Sequence, residues 1–239
     1  MIQYEQDLRQ QVIQAEKLAT IGLLASGIAH EINNPLYAIM GLSDLLRDET
    51  QPKVIKEHLD EIIKSGRRIA TIVRDLNAFT RRSHRDDMHD IDLNRLLDEA
   101  VKMARRALVL GQLHVVTQYG ALPTIRGNQE ELFQVFVNLV TNAVQAMDGR
   151  GTLTLSTAST NGFVHATVRD TGPGISKHNL GKIFDPFFTT KEQGKGTGLG
   201  LHIVRDIVTR YGGQVTVEST VGQGAAFTVK LPVQEEHHE

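Results

Sequence analysis

The chain contains no cysteine. Disulfides, thiolate nucleophiles and thiolate metal sites are therefore excluded, and a reducing compartment fits. Neither sign of charge dominates, since 26 Lys and Arg stand against 28 Asp and Glu for a formal net charge of -2. That balance argues against a general nucleic-acid binder, which carries a basic excess or a basic face. Long apolar runs are also missing. The longest, IGLLASGIA, is about half of the ~20 residues a membrane span needs, and the amino terminus MIQYEQDLRQQ has no basic region leading into an apolar core. The expectation is a cytoplasmic segment that makes no membrane contact. At 239 residues, with 40% hydrophobic and 23% charged content, the chain suits one large globular domain or two small ones.

Two halves with different periodicities are present. From Leu18 the apolar positions run Ile21, Ala25, Ile28, Ile32, Leu36, Ile39, Leu42 and Leu46, mostly three and four apart, the spacing of a coiled-coil or helical-bundle seam. RDETQPK interrupts it, and Pro52 suits the first turn of a second helix. That helix carries Ile55, Leu59, Ile62, Gly66, Ile69, Val73, Leu76 and Phe79. Two amphipathic helices bury too little surface to stand alone, so a four-helix bundle formed by dimerisation is expected. The charge-rich RRSHRDDMHD then reads as a linker.

Beyond Ile91 helical and alternating patterns mix. A helix begins near Asp92, a strand follows at LHVVTQY, and GNQEELFQVFVNLVTNAVQAM is helical, with Asn128 and Glu131 spaced as a capping box. GTLTLSTAS and FVHATVRD read as strands, the region from Gly172 to Gly200 as a mobile glycine-rich loop, LGLHIVRDIVTRYG as a helix, and GQVTVEST and AAFTVKL as closing strands. The order predicts a two-layer α/β sandwich after a helical hairpin, an α+β chain.

HEINNP places a histidine, a carboxylate and an amide within one helical stretch. At about 100° per residue, His30 lies two positions past Ile28 and two before Ile32 and so faces away from the seam. It is either an ordinary surface histidine or a nucleophile, its imidazole oriented by Glu31 and accompanied one turn on by Asn34. A zinc-protease helix needs a second histidine where Asn34 stands. Pro35 loosens the helix just beyond, or is a tolerated kink.

Asn138 and Asn142 lie four apart on one helix. Their amides are either structural or weak neutral ligands suited to a hydrated Mg²⁺ bridging phosphates. In DTGPGI, Asp170 can accept from an exocyclic amine while Gly172 and Gly174 let backbone approach a planar ring, although a plain tight turn explains them too. GKGTGLG precedes a helix with Gly194, Gly196, Gly198 and Gly200, an arrangement that presents backbone N–H groups to phosphate, yet it matches neither the P-loop nor the dinucleotide fingerprint. Phe184, Phe187 and Phe188 of FDPFF are lid anchors or ordinary core.

Taken together, HEINNP, NLVTN, DTGPGI, FDPFF and GKGTGLGL resemble, in order, the H, N, first glycine, F and second glycine boxes of bacterial two-component sensor histidine kinases, across about residues 15 to 232. HEINNP is similar to the nitrogen-regulation type. The resemblance implies a protein histidine kinase with a dimerisation and phosphotransfer hairpin over 1–82, a linker over 83–91, a Bergerat-type ATP-binding domain over 92–233 and a tail over 234–239. His30 would be the phospho-accepting nucleophile, Glu31 its acid/base partner, and Asn34 the residue assisting dephosphorylation of the partner. Asn142 would hold Mg²⁺ with Asn138 in support, and Asp170 the adenine amine. Gly172, Gly174, Lys195, Gly196, Thr197, Gly198, Leu199 and Gly200 would complete the ATP site, with Phe184, Phe187 and Phe188 under the lid. The implied partners are a second copy of the chain and the receiver domain of a response regulator. No sensory or receiver domain is apparent, so the chain is either the soluble core of a larger sensor or one whose sensor is a separate protein. Two other readings compete: a clamp ATPase of the gyrase or mismatch-repair class, and a dimeric scaffold that binds ATP without transfer.

Overall fold

The computed structural model describes residues 29, 32–80, 88–107, 112–191 and 198–233. His30, Glu31, Lys195, Gly196 and Thr197 lie outside the described residues, as does the tail from 234. The chain divides into two compact units, Met1–Arg82 with Lys191–Thr197, and Ser83–Thr190 with Gly198–Glu239.

The first unit contributes helix α1, described over 32–45, and helix α2 (Pro52–Thr80). Helix α1 runs on through Pro35, which lies near the start of the described stretch. The break between the helices falls where charge and proline interrupt the apolar period. Glu49 Oε1 accepts from the N–H groups of Thr50 and Gln51, both at 2.8 Å, and Pro52 opens α2, where its missing N–H is harmless. The single seam read along α2 is wider than expected. Ile55, Ile62, Gly66 and Ile69 are half-buried and Ile72 is buried, but Leu59, Ile63 and Val73 are exposed. Ile63 and Ile72 are nine positions apart, so at 100° per residue the apolar arc covers about 180° of the helix.

The second unit is a two-layer sandwich. Its elements are β1 (His89–Ile91), α3 (Leu93–Ala107), β2 (Gln112–Tyr119), β3 (Ile125–Gly127), α4 (Gln129–Ala146), β4 (Arg150–Thr160), β5 (Phe163–Asp170), α5 (Lys177–Leu180), α6 (Gly200–Arg210), β6 (Gln214–Ser219) and β7 (Ala225–Pro232). Strands β2, β4, β5, β7 and β6 form a five-stranded sheet in that order, with β2 parallel to β4 and the remaining pairs antiparallel. Helix α4 packs on α3, α6 and β5, and α6 packs on β6. Alternation decides which strand residues face the helices. Val164, Ala166, Val168 and Asp170 of β5 are buried, whereas Thr167 turns to the opposite face, where its hydroxyl meets that of Thr228 at 2.9 Å. Helix α4 answers with Leu132, Val135, Phe136, Leu139, Val140, Ala143 and Val144, a three-and-four spacing that is wholly buried. Burying a side chain of this size contributes about 1.5–3 kcal/mol.

Three short elements depart from the sequence expectation. β1 occupies the last three residues of the stretch read as linker and pairs antiparallel with β3, while α5 interrupts the expected loop. Each is too short to display a period, and β1 with β3 is held by a pairing across more than thirty residues.

Candidate functional site

The carboxyl end of β5 delivers Asp170 to the helix-facing layer, with only 4% of its surface exposed. Its Oδ1 accepts from the N–H groups of Gly172 at 2.8 Å and Ala225 at 3.3 Å. Among the described residues its other oxygen has no hydrogen-bond partner and is left as an acceptor. Burial pushes the Asp170 pKa above its ordinary value, and the two backbone donors offset part of that rise.

The turn after Asp170 is stitched to the β6–β7 hairpin. Ile175 N–H donates to Ser219 Oγ at 2.8 Å, Ser219 Oγ donates to the Gly224 carbonyl at 2.8 Å, and Gly222 N–H donates to the Pro173 carbonyl at 2.8 Å. Gly174 has φ +71°, and a methyl there would run into the Thr220 carbonyl. Gly224, at φ +83°, is pressed against the Asp170 carbonyl in the same way. Two glycine turns from distant parts of the chain thus interlock around one carboxylate. The GQG of the hairpin, which looks like any turn in sequence, is the half of that lock missed by local reading.

Helix α4 supplies the amide pair. Asn138 Nδ2 donates to the Gly200 carbonyl at 3.2 Å. A methyl added at Gly200 would lie 3.7 Å from both Asn138 Cγ and Asn142 Nδ2, so the first residue of α6 faces both amides. Leu199 is buried beside it. Gly198 has φ +66° and backs onto the main chain of Phe187, itself at φ +64°. Phe184 packs edge-on against Phe227 with ring centroids 6.4 Å apart, and its carbonyl lies 3.1 Å from His202 Nδ1. Phe184, Phe187 and Phe188 are all half-buried, and through Gly198 the phenylalanine block meets the second glycine block. Asn138, Asn142, Asp170, Gly172, Gly174, Gly198, Leu199 and Gly200 therefore all belong to one sandwich. Asn34 is exposed on α1, in the other unit.

The capping box expected at α4 forms only in part. Asn128 Oδ1 accepts from Glu131 N–H at 3.1 Å, but the Asn128 N–H donates to Tyr211 Oη at 2.8 Å instead of to Glu131. The Glu131 carboxylate turns to Arg210 Nη1 at 2.9 Å and the Tyr211 hydroxyl at 3.0 Å.

These donors suit an adenine nucleotide. A buried carboxylate with an acceptor oxygen to spare matches an exocyclic amine, and glycine turns with no room for a side chain match a flat ring and a phosphate chain. The Asn138 and Asn142 amides offer neutral oxygens, the weak ligand type that a cation keeping most of its waters can accept. Likeness to known proteins agrees. Residues 127–235 match the family described as the histidine kinase-, DNA gyrase B-, and HSP90-like ATPases, and residues 20–85 match the His Kinase A (phospho-acceptor) domain. The phospho-acceptor match comes first along the chain and the ATPase match second, and with the relatives below they place the chain in the two-component histidine kinases, as a catalytic core.

Among its relatives is the signal transduction histidine-protein kinase AtoS of Escherichia coli (strain K12), 36% identical over 95% of this chain and 37% of that protein. The sensor histidine kinase ZraS of the same strain is 33% identical over 95% of this chain and 48% of its own length. Sporulation kinase A of Bacillus subtilis (strain 168) is 34% identical over 92% and 36%. The chain thus spans between about a third and a half of the length of these three curated relatives. Among solved structures, the histidine kinase ThkA in complex with the response regulator protein TrrA superposes with a TM-score of 0.75 at 23% identity, over 100% of this chain and 68% of that one. This is a likeness of fold. Full-length ShkA in complex with AMPPNP gives 0.64 at 27% identity, over 88% and 45%.

Proposed function

We propose that the chain is the core of an ATP-dependent protein histidine kinase that phosphorylates itself on His30 and passes the phosphoryl group to an aspartate of a response regulator's receiver domain. In this reading Asp170 accepts from the adenine amine, and the turns at Gly172 and Gly174 lie along the base. Gly198, Leu199 and Gly200, with Lys195, Gly196 and Thr197 before them, line the phosphates. An imidazole nitrogen of His30 attacks the γ-phosphorus, the bond from that phosphorus to the bridging oxygen breaks, ADP leaves, and Glu31 takes the displaced ring proton. The phosphoryl group then moves from nitrogen to the carboxylate of the regulator, restoring the imidazole. Asn34, exposed and four residues beyond His30 in sequence, suits a role in orienting a water that attacks the regulator's aspartyl phosphate and releases inorganic phosphate. Asn142, with Asn138 beside it, would hold Mg²⁺, which when bound offsets charge on the phosphate oxygens.

The reading also includes domain limits of 1–82, 83–91 and 92–233, a cytoplasmic setting and a homodimer. What supports the dimer is the stripe of exposed Leu59, Ile63 and Val73 on α2, together with exposed Leu36, Tyr37 and Met40 on α1. Apolar surface so arranged suits a matching face on a second copy. No helix among the described residues is long and apolar enough to cross a membrane.

The observation that carries the proposal is the Asp170 carboxylate, set between two interlocked glycine turns with both backbone donors on Oδ1, so that Oδ2 is left to accept. Incubation with γ-labelled ATP and Mg²⁺, beside a His30→Gln variant, tests it. An acid-labile, base-stable label that the variant lacks is the expected result. ATP turnover untouched by His30→Gln would instead identify a clamp ATPase, and binding without transfer or turnover a scaffold.

A further inference from the structure

Helices α4 and α6 pack together, and hydrogen bonds tie them at each end of α6. At its amino end the Gly200 carbonyl receives Asn138 Nδ2. At its carboxyl end Tyr211 Oη accepts from Asn128 N–H and donates to Glu131, while Arg210 holds the other oxygen of the same carboxylate. The helices therefore run antiparallel, the last turn of α6 gripping the first turn of α4. At about 1.5 Å per residue the two ties are roughly 16 Å apart along α6. Between them lie Ile203, Val204, Ile207 and Val208, all buried. Apolar ridges set a crossing angle but resist a small slide along the axis only weakly, whereas hydrogen bonds of definite length resist it directly.

The phenol is well placed for that task. Its ring lies against the end of β3, since a methyl added at Gly127 would come within 3.0 Å of Tyr211 Cε1. The hydroxyl takes the N–H that the α4 capping box would otherwise satisfy. Burial, with the neighbouring Glu131, pushes the Tyr211 pKa up to about 12, so the hydroxyl remains a donor throughout the neutral range.

We infer that Tyr211 is a positioning residue for the phosphate and metal end of the nucleotide site: its hydroxyl fixes the axial setting of α6 on α4, and so where Gly200 stands opposite Asn138 and Asn142. The inference rests on the nucleotide site assigned above. The base end is held independently, by the lock between the 172–175 turn and the 219–224 hairpin. A slip of α6 should therefore weaken contacts to phosphate while leaving those to the base intact.

The full chain carrying Tyr211→Phe separates this role from general stability. Thr157→Val is the matched control, because Thr157 Oγ1 likewise makes one donated and one accepted bond, to Asn94 Oδ1 at 2.8 Å and from Gly120 N–H at 3.1 Å. Affinities for Mg²⁺-ADP and for adenosine are measured by calorimetry and competition, with thermal midpoints recorded alongside. Tyr211→Phe is expected to weaken Mg²⁺-ADP roughly threefold to thirtyfold, the range of coupling through a packed element, with adenosine affinity unchanged. Thr157→Val should lower the midpoint comparably and leave both affinities at the wild-type value. Glu131→Gln, which weakens the same tie, should reproduce the pattern with a smaller loss and stands in if the first variant does not fold. Unchanged Mg²⁺-ADP affinity, an equal loss for adenosine, or an equal loss in Thr157→Val overturns the inference. Wild-type protein that binds neither ligand overturns the nucleotide site itself, and the inference with it.

Discussion

Replacing Asp170 by asparagine separates what the carboxylate does for the fold from what it does for a ligand. Asp170 is 4% exposed, and Oδ1 receives both of its hydrogen bonds, from Gly172 and Ala225. An asparagine Oδ1 can receive the same two, so the turn loses no partner. Burial raises the Asp170 pKa, so the folded protein holds this proton more tightly than the unfolded chain does. The stability this group contributes is full below the ordinary carboxylate range and is lost as pH rises through the raised value. At neutral pH the buried charge is a standing cost that an amide does not carry. Asp170→Asn without nucleotide should thus be as stable as wild type at pH 7.5, or more stable by up to about 2 kcal/mol, roughly 0–6 °C in the thermal midpoint of a chain this size. That gap should close as the pH falls through the raised value. Nucleotide binding should move the other way. Losing a charged acceptor opposite an amine costs about 1.5–3 kcal/mol, so ADP affinity should drop roughly tenfold to 150-fold. Thermal scans across pH, with and without ADP, read both effects. A midpoint several degrees below wild type at pH 7.5, or ADP affinity that does not change, would refute the reasoning.

Gly174→Ala should lower the unfolding free energy by about 2–4 kcal/mol, left-handed strain plus the collision with the Thr220 carbonyl, whereas Gly162→Ala, at φ +74° but in open space, should cost only about 1 kcal/mol. Equal shifts in urea midpoint would contradict the interlocked-turn geometry. Leu59→Glu with Ile63→Glu should convert a dimer to a monomer by light scattering while helical circular dichroism is retained; a persisting dimer would exclude the α2 stripe as its interface. Because the Tyr211 pKa is raised from 10.0 to about 12, the neutral phenol favours the fold, and wild-type stability should decline as pH climbs across that interval. Tyr211→Phe should lack that component, and parallel curves for the two proteins would count against it.

The interlock of the two glycine turns has a functional consequence. Ala225 N–H and Gly224 both lean on Asp170, and Ser219 joins the hairpin to Ile175. The carboxylate is thereby held with both backbone donors on Oδ1, and in the proposed site Oδ2 would meet a donor without rearrangement of the β5 end.

Much of this was legible along the chain because it is local and periodic. Helix α4 announces itself through apolar positions three and four apart, from Leu132 to Val144. Strand β5 coincides with the alternating segment FVHATVRD, and Pro52 begins α2 where a helix tolerates it. The asparagine and glycine blocks, each ambiguous by itself, resemble in their order those of the histidine kinases, and that resemblance implied a nucleotide. What only the tertiary structure decided has no local trace. β1 and β3 are three residues each and exist because they pair with one another. The apolar half-circumference of α2 sorts into buried and exposed parts only when the surrounding structure is known. Tyr211 stands 83 residues from the N–H it caps, and Gly224 lies beyond three further elements from the Asp170 carbonyl it crowds. Periodicity reports which side of an element is apolar. Which distant backbone group meets a given hydroxyl or carboxylate is settled by how the layers close, and a hydrogen bond a few ångströms long depends on that closure.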